Sequence, residues 1–305
     1  MWLLLAFMSA ALLGCYDSFK KQALKENAVI PVLFLNTLFS SLIFLPFILM
    51  SGSSDVLDGS IFHVASGGWE VHRYVVLKAL IVLSSWILGY FGMKHLPLTI
   101  VGPINATRPV MVLVGALLVF GERLNGWQWM GVLLAVASFL LLSRSGKKEG
   151  IDFKHDHWIW MIVGSAALGA FSGLYDKYLM APVESGGVGL DRMLVQSWYN
   201  IYQCFMMLAV LIILWWPKHH ETTPFHWHWS IIGVSIFLST ADFVYFYSLS
   251  LPEAMISIVS MVRRGSVVVS FLFGAAFFHE RNLKAKAFDL ALVLLGMLFL
   301  YIGSE

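Results

Sequence analysis

Residues 83 to 97, LSSWILGYFGMKHLP, set against residues 238 to 252, LSTADFVYFYSLSLP, match at Leu, Ser, Tyr, Phe, Leu and Pro, with Ser85 opposite Thr240. Residues 10 to 17, AALLGCYD, set against 169 to 176, GAFSGLYD, match at Ala, Gly, Tyr and Asp. Phe120-Gly121-Glu122-Arg123 is echoed by Phe278-His279-Glu280-Arg281. Three matches in the same order, at offsets of 159, 155 and 158, mark an internal repeat. Small insertions account for the drift. The chain is thus read as two copies of one unit, residues 1–146 and 158–305, joined by a basic, glycine-containing linker at 147–157.

What surrounds these segments is apolar. Of 305 residues, 59% are hydrophobic and 12% charged, with a mean hydropathy of +0.77. A globular chain is about 45–50% apolar and about 25% charged. This composition expects an integral membrane protein. The net charge of +2 gives no reason to expect a nucleic acid as a partner. Cys15 and Cys204 both lie in apolar runs, where no disulfide framework or thiolate metal site is expected. Leu12-Leu13-Gly14-Cys15 has the form of a lipid-attachment box, but Met1 to Leu5 lacks the basic residues such a leader needs, so this run is read as the first span.

Runs of roughly 17–25 apolar residues are the length that crosses a bilayer as a helix. Ten are present: Trp2–Phe19, Ile30–Met50, Tyr74–Met93, Leu98–Phe120 and Trp127–Ser143, then Trp158–Tyr175, Leu194–Trp216, Trp229–Leu249, Ala254–Phe278 and Ala285–Gly303. The polar stretch Ser51 to Arg73 is read as a loop with a short interfacial helix. Backbone groups in lipid must be satisfied internally, and these runs are too long for barrel strands, so the expected fold is all-α, with ten transmembrane helices. Each unit holds five spans, an odd number, so the second copy enters from the opposite face. Two inverted five-helix repeats follow, a geometry that places a site near the midplane and supports alternating access.

The residues now on the page resemble the drug/metabolite transporter superfamily, EamA type. The resemblance is carried by ten spans, a duplicated five-span unit, a Leu-Pro turn before the fourth and ninth spans, and the glutamates of FGER and FHER closing them. It implies two EamA-like halves bundled around a central cavity and transport of small polar metabolites. Arg263-Arg264-Gly265 departs from the smaller or apolar residues usual in that family.

Charges inside apolar runs are costly and point to function. Arg108 lies 14 residues before Glu122 and Arg263 lies 17 before Glu280. At about 1.5 Å per residue both guanidiniums fall on the order of 20–25 Å from the helix end. At about 100° per residue their facings differ by only about 60°, which makes Arg263, rather than Arg264, the symmetry mate. Such a pair could clamp a carboxylate or phosphate, or each could instead lock onto a buried acid such as Asp242. Asp242, with Tyr245 one turn on, is a candidate proton carrier or a counter-charge to Arg263. Asp17 and Asp176, at matching ends of the first and sixth spans, are further proton-coupling candidates; pairing with Lys20 or Lys21, and with Lys177, would explain them without function. Asn105, Tyr90, Trp86, Asn200 and Gln203 are candidate substrate contacts on cavity walls, because amides in hydrocarbon need partners. Asn36 and Ser84 are similar polar residues within spans.

Histidines 155, 157, 219, 220, 226 and 228, with Asp156 and Glu221, could bind a transition metal, but the interleaved Trp158, Trp227 and Trp229 suit an interfacial belt. No metal or cofactor is assigned. The chain has no HExxH, P-loop or GxSxG motif, so it is not expected to be an enzyme, and energy would come from a gradient or exchange. Twelve Lys and Arg flank the odd-numbered loops and five the even ones, which by the positive-inside rule puts the termini outside, whereas the resemblance implies termini inside. The expectation is a multi-pass transporter in the cell membrane, of the bacterial inner-membrane kind, monomeric or homodimeric, exporting or exchanging a small anionic or zwitterionic metabolite. Proton-coupled efflux of cationic or drug-like compounds is the alternative, and a metal-responsive membrane protein a third.

Overall fold

A computed structural model describes residues 2–108, 110–111, 125–147, 154–180, 183–250, 262–277 and 283–303. Every regular element among them is helical, and ten α-helices follow the apolar runs. They are α1 (Trp2–Leu24), α2 (Val29–Ser53), α3 (Trp69–His95), α4 (Leu98–Ala106), α5 (Gly126–Lys147), α6 (His157–Met180), α7 (Arg192–Val210), α8 (Ser230–Ser250), α9 (Ser266–Phe277) and α10 (Leu283–Ile302). Six helical stretches, α1, α2, α3, α6, α8 and α7 with its continuation to Lys218, are long and apolar enough to cross a membrane. The FGER and FHER motifs, Leu251-Pro252, residues 109 and 112–120 of the fourth span and residues 254–261 of the ninth lie outside the described residues. The loop after α2 carries only a 3₁₀ turn, Asp55–Leu57.

Several helices run further than the apolar runs suggest. Lys20, expected to close the first span, lies within α1 and is 7% exposed. The third span is read from Tyr74, but α3 begins at Trp69, so Lys78 stands well inside it and is buried. Two helices are interrupted instead. Between Pro103 and Pro109, α4 stops at Thr107, whose hydroxyl donates to the Ile104 carbonyl at 2.7 Å. The chain is helical at 262–264, turns at Gly265 and resumes as α9. A Cβ on Gly265 would lie 2.9 Å from the Val262 carbonyl oxygen. Each interruption sits next to an arginine.

Helices from the two sequence copies interleave. α1 lies against α8, where the Ser9 hydroxyl donates to the Ala241 carbonyl at 2.7 Å and Phe19 stacks on Phe237. α3 lies against α6, where the Ser85 hydroxyl donates to the Ser165 carbonyl at 2.8 Å. The ends of α1 and α3 meet, because the Lys21 ammonium donates to the carbonyls of Met93 and Leu96. These contacts run α1 and α3 one way and α6 and α8 the other. The pairings also map onto one another when α1–α5 are exchanged with α6–α10: α1·α8 with α6·α3, α1·α9 with α6·α4, and α2·α8 with α7·α3. The pairs α2·α7, α4·α9 and α5·α10 map onto themselves.

Small residues set the closest approaches, as expected where lipid gives helices no hydrophobic reason to associate. At Gly14 of α1 an added Cβ would collide with Val269 and come within 2.9 Å of the Ser266 carbonyl oxygen of α9. At Gly102 of α4 it would lie 2.9 Å from Val267 Cγ1. α9 is thus wedged between α1 and α4.

Candidate functional site

A cavity of about 180 Å³ opens between α1, α8 and α9 on one side and α3, α4 and α6 on the other. Nine of the eleven residues predicted from sequence line it: Asp17, Trp86, Tyr90, Asn105, Arg108, Asp176, Asp242, Tyr245 and Arg263. They come from α1, α3, α4, α6 and α8 and from the arginines beside α4 and α9, and the interleaving of the two copies brings them together. Tyr90 and Tyr245, which align in the repeat, face the cavity from α3 and α8.

Asn200 and Gln203 are not in this wall. They lie in a buried polar seam of α2, α7 and α8 together with Asn36. There the Ser41 hydroxyl donates to the Asn200 carbonyl at 2.8 Å, the Asn200 amide donates to the Gln196 carbonyl at 2.8 Å, and the Ser235 hydroxyl donates to Asn36 Oδ1 at 3.1 Å. The Asn200 amide is satisfied within its own helix, whereas both polar atoms of the buried Gln203 amide lack a partner, and α7 presents Tyr199 to the cavity rather than these amides. Ser84 lies outside the cavity wall too, donating to the Leu80 carbonyl at 2.8 Å while its neighbour Ser85 faces the cavity.

Three ion pairs line the cavity. The Lys20 ammonium sits 3.2 Å from Asp17, over the rings of Tyr16 and Tyr90. Lys78 pairs with Asp176 and ties α3 to α6. Arg263 pairs with Asp242 and lies over the ring of Tyr245, with its Cζ 4.2 Å from the ring centre. The second Asp242 oxygen accepts from the Tyr199 hydroxyl at 3.0 Å. Both oxygens of Asp242 are therefore engaged.

Two guanidiniums are left over. Arg108 donates from Nη2 to Asn105 Oδ1 at 3.1 Å, while its buried Nε has no partner. It reaches this position across Gly169 of α6, where an added Cβ would lie 2.8 Å from the guanidinium carbon. Arg264, beside the turn at Gly265, lines the cavity within the electrostatic reach of Arg108. Neither Arg108 nor Arg264 has a carboxylate partner among the described residues. Lys20, Lys78, Tyr199 and Arg264 are site residues that sequence reasoning passed over.

The histidine-rich loops show no such convergence. His157 lies against Trp158, and His219 against Trp216 and His220. Among the described residues no three His, Cys, Asp or Glu side chains gather as a metal site would require.

Residues 1–144 match the model of the EamA-like transporter family, which places this stretch within the drug/metabolite transporter superfamily. That family is one of membrane transporters, not of enzymes. No curated protein matches the chain. A solved crystal structure superposes with a TM-score of 0.65 over 99% of this chain and 97% of its own, at 13% identity. At that identity the likeness concerns the fold.

Proposed function

Starting from the match of residues 1–144 to a transporter family, we propose that the chain is a secondary transporter of a small anionic or zwitterionic metabolite, working by alternating access between two inverted five-helix repeats. Opposed directions of α1 and α6, and of α3 and α8, support the inversion, as does the exchange symmetry of the helix pairings. Ten spans are the reading that joins the ten helices to the ten apolar runs.

The observation that carries the substrate class is the charge of the cavity. Asp17, Asp176 and Asp242 each already have a cationic partner, whereas Arg108 and Arg264 have no anionic one among the described residues. A cationic ligand would have to displace a lysine or arginine from its carboxylate. An anion meets guanidinium donors directly, and two guanidiniums suit a carboxylate or phosphate by geometry as well as charge. The cavity volume of about 180 Å³ is below the roughly 300 Å³ at which drug-sized sites begin, which favours a small metabolite over a bulky one.

The test is a thermal-shift screen of amino acids, organic acids, sugar phosphates and nucleotide sugars against wild type and Arg108→Ala, followed by counterflow of each stabilising compound in proteoliposomes. Anionic or zwitterionic compounds should stabilise the wild type alone, and Arg108→Ala should abolish their counterflow. Undiminished counterflow in the variant would overturn the reading.

A further inference from the structure

We propose that the cavity selects a dianion, held between Arg108 and Arg264; this rests on the anion-transporter reading above and narrows it. Among the described residues, five cationic and three anionic side chains line the cavity. Lys20, Lys78 and Arg263 are each neutralised by an aspartate, which leaves a surplus of two positive charges, both on guanidiniums. Uncompensated charge inside a bundle is unfavourable, and nothing else among the described side chains of the wall offsets it. A ligand bearing two negative charges removes the surplus. A monoanion leaves half of it. A zwitterion removes none in net terms and brings an ammonium that finds all three carboxylates occupied.

The backbone supports the same assignment. Arg108 follows the interruption at Thr107 and Arg264 precedes the turn at Gly265, so each guanidinium stands where its helix is broken. Broken helices meeting near the midplane are where carriers form substrate sites, because they expose backbone groups that a continuous helix consumes. Asn105 holds one edge of the Arg108 guanidinium through Nη2, and its buried Nε is unpartnered. Asn105 thus fixes the orientation of Arg108 in the cavity wall. Either a phosphate monoester, with both charges on one group, or a short dicarboxylate, with one carboxylate per arginine, satisfies this arrangement. The two share the chemistry and differ in the spacing of charge.

The experiment measures binding to the purified full-length chain of five small probes: glycerol 3-phosphate, succinate, inorganic phosphate, lactate and serine. The best dianion should bind at least ~10-fold more tightly than lactate or serine, the order expected for a second charge pair in a partly solvated site. Whether glycerol 3-phosphate or succinate is the better of the two distinguishes the sources of the dianion. Arg264→Gln should weaken dianion binding to the level of lactate, a larger loss than it causes for lactate itself. Arg264→Lys should keep most of the preference, which controls for misfolding. Lactate or serine binding as tightly as every dianion, or a preference that survives Arg264→Gln, would overturn the dianion assignment; if binding were then still lost in Arg108→Ala, the anion-transporter reading would stand alone. Failure of all five probes to bind wild type would overturn both.

Discussion

Gly169 decides where Arg108 can lie. A Cβ there would sit 2.8 Å from both Cζ and Nη1 of the guanidinium, and α6 backbone cannot retreat without disturbing its packing on α3. Gly169→Ala should therefore displace Arg108 and reduce anion counterflow by on the order of tenfold, with little change in melting temperature because only a side-chain end must move. Gly173→Ala, one turn on in the same cavity wall with nothing within 4 Å of the added methyl, is the matched control and should keep wild-type transport. Equal transport by the two variants would dissociate Arg108 from the substrate. At this scale the sequence was most readable where charge stood inside an apolar run, because that placement is costly and so rarely idle. Arg108, Asp17, Asp176 and Asp242 were found that way. The pairs of Asp242 with Arg263 and of Asp17 with Lys20 are among the alternatives the sequence offers, but the pair of Asp176 with Lys78 is not, since the two lie 98 residues apart and no periodicity encodes that meeting. Arg264 was passed over for a different reason. Its facing was reckoned at about 100° per residue along an unbroken helix, and the turn at Gly265 resets that count.

Elements were legible wherever an apolar run was continuous, since length and hydropathy alone decide such helices in lipid. Their ends were less so. Lys78 looked like a flanking residue only because Trp69 to Arg73 is polar enough to pass for loop, although α3 includes it. The amides of α7 read as cavity residues because amides in hydrocarbon demand a partner; packing instead buries Asn200 and Gln203 in a seam between helices, and sequence does not choose between the two places. Helix α9 shows what crossing distance costs. Its neighbours at Gly14 are Val269 Cβ and the Ser266 carbonyl, atoms fixed by the backbone, whereas at Gly102 the near atom is Val267 Cγ1, which a rotamer change can move. Gly14→Ala should accordingly destabilise the purified protein by about 1–3 kcal/mol, as overpacking does, and Gly102→Ala by clearly less. Melting curves in detergent compare the two; a larger loss at Gly102 would mean that α9 is held against α4 rather than α1.

The repeat made a two-fold arrangement legible, but not which helices would move together. The structure sets α1 and α8 on one side of the cavity and α3 and α6 on the other, each pair drawing on both copies, with α2 packed on α7 and α4 on α9 between them. Rocking that opens the cavity alternately to two faces would then occur between these mixed two-helix bundles, with bonds across their boundary breaking in turn. At one end that boundary is crossed by the Lys94 ammonium, which donates to Thr223 Oγ1 at 2.9 Å, and by Lys21 on the Met93 and Leu96 carbonyls. At the same end Gly92 of α3 meets Ile162 of α6, a contact within one bundle. Two tethers at equal depth therefore separate bundle motion from general rigidity. In a Cys15→Ser, Cys204→Ser background, Lys94→Cys with Thr223→Cys joined by a bifunctional thiol reagent should stop counterflow. A disulfide between Gly92→Cys and Ile162→Cys should leave most of it intact. Reduction of a cleavable form of the first tether should restore transport. If the within-bundle disulfide blocks transport as completely as the cross-bundle tether, the moving units are not these bundles, and access to the cavity must change by bending of the interrupted helices at Thr107 and Gly265 instead.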